Sequence, residues 1–121
     1  MIGRVAKGFY VWKKCIVNNQ YYRYTDVDRK FCLVKLYIQK GSYINHTSHK
    51  CRASKAKVIE IRCLNTNRKL KTAVSARNSS FIYRVGQTIK PTRKFDMSDV
   101  PCAPGIHYFN DEDEAREYDF C

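Results

Sequence analysis

The sequence predicts a β-rich α+β fold: a single domain of mostly antiparallel sheet, completed by a short C-terminal helix. Three observations predict it. Apolar residues come in short alternating runs, the clearest being Phe31-Cys32-Leu33-Val34-Lys35-Leu36-Tyr37-Ile38, and a period of two belongs to strands. Asn18-Asn19, Gly41, Gly86, Pro91 and Gly105 punctuate those runs, as turns between strands require. The one strong helix signal comes late, where Asn110 precedes the acids Asp111, Glu112, Asp113 and Glu114; an N-cap and the helix dipole favour such residues there. The 121 residues fit one domain over 1–121, long enough to bury roughly two thirds of the unfolded surface.

In chain order, residues 9–17 read as a first strand, opened by Gly8 and closed by Asn18-Asn19. Residues 21–25 are ring-rich and β-prone, followed by a polar turn over 26–30. In the 31–38 strand, Cys32, Val34, Leu36 and Ile38 share one face and Phe31, Leu33, Lys35 and Tyr37 the other. A strand apolar on both faces is expected to be central or covered. Residues 41–50 form a polar loop, and 52–57 are expected to make a single helical turn. Residues 58–63 alternate, with Ile59, Ile61 and Cys63 on one face and Val58, Glu60 and Arg62 on the other. Residues 64–80 are expected to be an exposed basic loop or hairpin. Residues 81–85 and 88–90 return to strand until Pro91 stops the ladder. Residues 96–101 read as a turn, 106–109 as the last strand, and Asn110 as the N-cap of the helix.

Hydrophobic residues at 44% and aromatics at 13% argue for an ordered domain and against disorder. The net charge is +12, and it is unevenly spread. Residues 1–109 hold 22 Lys and Arg against five acids, a formal +17, while six acids crowd the last twelve positions. Such a body attracts nucleic acid, anionic lipid or an acidic protein face. No stretch approaches ~18 consecutive apolar residues, so no membrane span is expected. Residues 1–8 contain no apolar h-region, so secretion is not expected; the Asn45-His46-Thr47 and Asn78-Ser79-Ser80 matches to the glycosylation pattern are then chance. Six cysteines stand at 15, 32, 51, 63, 102 and 121 without a Cys-x-x-Cys pair, which argues against a zinc ribbon or a thioredoxin-type motif. Cys32 and Cys63 fall inside apolar strand patterns, as small core residues do.

Four blocks of sequence belong together. They are Val34-Lys35-Leu36-Tyr37-Ile38; Lys50-Cys51-Arg52-Ala53-Ser54-Lys55-Ala56-Lys57-Val58; Ser80-Phe81-Ile82-Tyr83-Arg84-Val85-Gly86-Gln87-Thr88-Ile89-Lys90-Pro91; and Cys102-x-x-Gly105-Ile106-His107-Tyr108-Phe109. With Phe95-Asp96, Ala115, Tyr118 and the strand around Tyr10 to Lys14, they cover most of residues 9–118. The set resembles a domain of unknown function found in phages and large nucleocytoplasmic DNA viruses, often joined to pentapeptide repeats. The resemblance implies a viral origin and a place in the virion or the infected host cell. It also makes Cys51, Arg52, Phe81, Tyr83, Gly86, Cys102, Gly105, His107 and Phe109 the motif positions. Residues 64–78, Cys15, Cys63 and Cys121 lie outside the matching blocks, and the sequence carries no pentapeptide repeats.

Among reactive side chains, Cys102 and His107 bracket a Pro-Gly turn and are the candidates for a Cys/His nucleophile pair. Cys51, Cys102 and His107, with His46 or His49, are the candidate metal ligands, and Cys51 with Cys102 a candidate disulfide. The spacing is not that of a zinc site, and neither Asp96 nor Asp99 is singled out as an orienting acid. The sequence therefore leans away from an enzyme, and no cofactor is expected. The polyanion-binding candidates are Lys50, Arg52, Lys55, Lys57, Arg68, Lys69, Lys71 and Arg77, with Lys35, Tyr37 and Tyr43 adding a basic, aromatic face. The expected function is a non-enzymatic viral protein-interaction module, a minor virion or capsid-associated component with other viral proteins as partners. The alternatives are a nucleic-acid-binding accessory protein, and a Cys/His enzyme or ligand-sequestering anti-defence protein.

Overall fold

Strand alternation organises the whole chain, and the computed structural model describes residues 2–18, 31–46, 51–76, 80–98 and 103–118. The first half contains β1 (Ile2–Arg4), β2 (Phe9–Val17), β3 (Phe31–Ile38), β4 (Tyr43–His46), β5 (Cys51–Ala53) and β6 (Ala56–Cys63). The second contains β7 (Lys69–Leu70), β8 (Thr72–Val74), β9 (Ile82–Arg84), β10 (Thr88–Ile89), β11 (Ile106–Tyr108) and α1 (Glu112–Glu117). Every pairing between these strands is antiparallel. The result is β-rich, with a small sheet ordered β1-β4-β5-β11 and a large one ordered β10-β6-β3-β2-β8-β9, where β7 also pairs with β6. The expected strand at 21–25 lies outside the described residues.

β3 is central, as its two apolar faces require. Its inward residues Cys32, Val34, Leu36 and Ile38 have no exposed surface. They lie between Val11 and Cys15 of β2 and Val58, Ile61 and Cys63 of β6. The expected alternation over 58–63 is corrected here. A bulge in β6 sets Lys35 opposite Glu60 and Leu36 opposite Val58, so Ile59 is the extra residue. The bulge switches the phase of the strand. Val58 is thereby buried with Ile61, where a strict period would have sent it outward.

Residues 69–74 explain the shape of the large sheet. Their first part, β7, pairs with β6, and their second, β8, pairs with β2. Since β2 and β6 flank β3 on opposite sides, one short segment can touch both only if the sheet curls. The β9–β10 segment repeats the manoeuvre, pairing first with β8 and then with β6. Gly86 makes the step between them at φ 89°, a left-handed conformation natural to glycine; its N–H reaches Val58 O at 2.8 Å. Of the loop or hairpin expected at 64–80, the described residues form the hairpin turn between β6 and β7, followed by β8. Ala73 is buried, a small inward residue in a segment whose most visible feature is the charge of Lys69, Lys71 and Arg77.

The small sheet packs its inner face into the same core. Ala53, Ile106 and Tyr108 join Val11, Leu36, Val58 and Ile89 in one cluster. A bridge between Phe109 and Trp12 ties the two sheets together, with N–H···O distances of 2.9 and 2.7 Å. The helical turn expected at 52–57 is instead the end of β5, a tight turn and the start of β6. Cross-strand pairing to β4 and β11 holds Cys51, Arg52 and Ala53 extended and overrides their local propensity. The N-cap is Asp111, not Asn110: Asp111 Oδ1 accepts from Asp113 N at 3.0 Å. Lys14 Nζ donates to Tyr118 O at 3.1 Å, and the Phe109 and Tyr118 rings meet at 5.0 Å, which docks the C-terminal end of the helix over β2. Asn45 of the first glycosylation match has no exposed surface.

On the outer face of the small sheet, Arg52 is the largest fully buried side chain. Its guanidinium donates to Asp96 O at 2.6 Å, Pro104 O at 3.0 Å and Ser98 O at 2.5 Å. The ring of Phe95 covers it at 4.7 Å. Asp96 Oδ1 in turn accepts from Ser98 N at 2.7 Å, and this bond holds the Asp96 carboxyl below its ordinary pKa. Burying a cation costs several kcal/mol unless donors and acceptors are matched, and here carbonyls match the two terminal nitrogens, while Nε finds no partner among the described residues. Gly105 completes the fit, because a Cβ there would stand 2.9 Å from Arg52 Cβ. Arg52→Met is expected to lower unfolding stability by about 3 kcal/mol or more and Gly105→Ala by about 1–3 kcal/mol. Denaturant midpoints measure both, and wild-type stability in Arg52→Met would refute the clasp.

Candidate functional site

Antiparallel partners point to the same side of a sheet, so the register of the large sheet lays out its outer face row by row. Tyr10 lies opposite Tyr37, and Tyr37 opposite Lys57. Trp12 lies opposite Lys35, and Lys35 opposite Glu60. Lys14, Leu33, Arg62 and Lys69 form the third row. The rings and cations interleave. Lys35 Nζ sits 4.5 Å from the Tyr10 ring centre, and the Tyr10 and Tyr37 rings are 5.1 Å apart, tilted by 57°. Tyr10, near the start of β2, is 50% exposed.

Beside this patch a groove of about 400 Å³ runs between the sheet and the helix. Trp12 and Lys35 line it from the sheet, Glu60 and Arg62 from β6, and Glu112 and Arg116 from the helix. Arg62 pairs with Glu60, and Arg116 with Glu112 at 3.3 Å. Those charges neutralise each other within the groove. Lys35, which lines the groove and also covers Tyr10, joins the two features into one surface.

The expected polyanion residues divide. Lys57 is exposed beside Tyr37, Lys69 beside Arg62, and Arg68 and Lys71 are exposed at the adjoining turn. Lys55 is half-buried in the turn between β5 and β6. Arg52 is corrected: it has no exposed surface, and its guanidinium is engaged by three carbonyls rather than offered to a polyanion. Lys50 and Arg77 lie outside the described residues. Tyr43 is on the small sheet under Arg4, 5.9 Å from its ring centre, so it does not extend the Tyr37 face. Tyr10 and Trp12 are the residues that sequence reasoning missed. Their signal was the period of two in 9–17, which sends them and Lys14 to one side and Val11 and Cys15 to the other.

The Cys/His candidates also separate. His107 lies opposite Arg52 and therefore on the face away from Cys51, which lies opposite Tyr108. Successive strand residues face opposite ways, so Cys51 and His107 cannot share a ligand site. Cys102 and His49 lie outside the described residues, among which no cluster of three metal-ligating groups occurs. Cys51 instead meets His46, with Sγ 3.4 Å from Nδ1, and accepts a contact from Asn110 Nδ2 at 3.6 Å. The remaining motif residues serve the fold: Phe81 packs on buried Tyr83 at 5.1 Å, and Phe109 bridges to Trp12.

Cys15, Cys32 and Cys63 form a buried row across β2, β3 and β6. Burial pushes the Cys15 thiol up to about 12 from an ordinary 9.0 and raises Cys32 further still, with help from its two thiol neighbours. A thiol held neutral in the fold ionises more readily when unfolded, so its contribution is complete below pH 9 and is lost as pH rises towards 12. Stability is expected to fall above pH 9 by up to about 1.4 kcal/mol per pH unit for each such thiol. Denaturant titrations from pH 8 to 10.5 measure the slope. Cys15→Ala should flatten it, and an unchanged slope would contradict the assignment.

No curated protein matches the chain, and no solved structure does. The model of a family of unknown function, DUF5758, matches residues 4–115.

Proposed function

The chain belongs to the DUF5758 family, and on that footing we propose that it is a non-enzymatic viral interaction module whose working surface is the outer face of the large sheet. The viral assignment rests on the sequence blocks from Val34 to Phe109 described above. The partner that best fits the surface is single-stranded nucleic acid. One observation carries this reading: Tyr10, half exposed, is flanked by the Tyr37 ring at 5.1 Å and the Lys35 ammonium at 4.5 Å. The exposed part of the Tyr10 ring can accept an unpaired base, while cations follow the phosphates. Lys57 stands beside Tyr37 in the same row, Lys69 lies two rows along the same face with Arg68 and Lys71 at the adjoining turn, and a formal +17 over residues 1–109 steers polyanions towards the body. Double-stranded nucleic acid would engage the same cations but leave the rings unused.

A protein partner within the virion is the second reading, favoured by the helix. Its first turn exposes Glu112, Asp113 and Glu114 on an otherwise basic molecule. That asymmetry suits docking of the acidic helix against a basic neighbour, including a second copy in head-to-tail order. Detection of the chain in purified particles supports this role; a chain confined to infected-cell lysate counts against it.

The nucleic-acid reading is tested by fluorescence anisotropy with a labelled oligo-dT at low salt. Tyr10→Ala is expected to weaken binding about 5- to 100-fold, the effect of losing one stacked base, while Tyr43→Ala leaves it unchanged. Lys35→Ala should also reduce the salt dependence. Absence of binding at low salt, or equal losses in both tyrosine variants, would overturn it.

A further inference from the structure

Cys51 lies in the middle of a second row of chemistry, on the small sheet and away from the aromatic face. Three adjacent strands bring His46, Cys51 and Tyr108 side by side, because His46 and Tyr108 are the register partners of Cys51 on β4 and β11. His46 Nδ1 is 3.4 Å from the sulfur, and the Asn110 amide approaches it at 3.6 Å from the start of the helical region. Both groups can donate to a thiolate, and hydrogen bonds to the charged form favour it.

The third member of the row has an unmet requirement. The Tyr108 hydroxyl is buried and makes no hydrogen bond among the described residues. A buried polar group without a partner is unfavourable, so an oxygen arriving next to it would be stabilised. Burial, with a smaller effect of the neighbouring Cys51, raises the phenol's pKa; it therefore stays protonated and able to donate. Access is narrow. Cys51 is only 6% exposed, while His46 at the rim is exposed, which selects a small reagent over a bulky one.

We propose that Cys51 is a reversible oxidation site for small hydroperoxides, with His46 as its proton carrier and Tyr108 and Asn110 as donors to the oxidised product. His46 Nδ1 takes the thiol proton, and the thiolate sulfur attacks one peroxide oxygen. The S–O bond forms as the O–O bond breaks. The departing alkoxide, or hydroxide when the reagent is hydrogen peroxide, recovers the proton from the His46 imidazolium and leaves as the alcohol or as water. Sulfur loses two electrons and the peroxide gains them, leaving a sulfenic acid that an added thiol reduces back. The assignment is independent of the nucleic-acid reading, since no residue is shared.

The test exposes the intact protein to hydrogen peroxide with dimedone present and maps the adducts by peptide mass spectrometry. Cys51 is expected to be labelled at least about tenfold faster than Cys15, Cys32 or Cys63. His46→Gln, a change at an exposed position, should slow Cys51 labelling about tenfold or more without moving the melting temperature. Tyr108→Phe removes the unpartnered hydroxyl, so it should fold at least as stably yet shift Cys51 from sulfenic towards sulfinic acid. Cys51 left unlabelled, or labelled equally fast in His46→Gln, would overturn the proposal.

Discussion

The burial of Arg52 is the constraint on which the small sheet and its covering segment depend. A guanidinium with no exposed surface has to find acceptors, and the acceptors here are main-chain carbonyls of Asp96, Ser98 and Pro104. Carbonyls can be presented in that arrangement only if residues 95–98 and 103–105 both lie against β5. One side chain therefore holds Asp96, Ser98 and Pro104 together at the entrance to β11. Gly105 permits the close approach, and β11 then carries Phe109 to its bridge with Trp12. The consequence reaches the large sheet, because that bridge sets where the helix begins and hence where the groove beside Lys35 opens.

The two faces of the small sheet illustrate how alternation separates chemistries. Asn45, Arg52 and His107 share the outer row, and His46, Cys51 and Tyr108 the inner one. Residues adjacent in sequence, such as Cys51 and Arg52, thus serve unrelated ends: one clamps a loop, the other meets an imidazole. On the large sheet the same alternation buries Val11 and Cys15 while turning Tyr10, Trp12 and Lys14 outward. The exposed rings are not surplus core residues. They are the outward half of a strand whose inward half is already buried.

Much of the fold was legible because period-two patterning survives in 31–38, 82–84 and 106–109, and because acids following a capping residue favour a helix start. The cap itself was placed one residue early, since Asn110 and Asp111 are both good caps and only the geometry separates them. The β6 bulge was illegible: Val58 and Ile59 are both β-branched and apolar, so the sequence does not mark which is the extra residue. β8 was hidden because Ala73 is small and its flanks are basic. Arg52 was misassigned for a physical reason, the rarity with which arginine is buried without an acid. The groupings Tyr10–Tyr37–Lys35 and His46–Cys51–Tyr108 are products of register, which pairs residues distant in the chain and leaves no local trace.

The central claim is that the clasp makes both sheets one cooperative body, and native-state hydrogen exchange on the wild-type chain addresses it most directly. If Arg52 locks the small sheet to the core, the slowest amides of β5 and β11 will exchange with the same opening free energy as those of β3, by global unfolding. Exchange of β5 and β11 through a separate opening, with β3 still protected, would contradict the account.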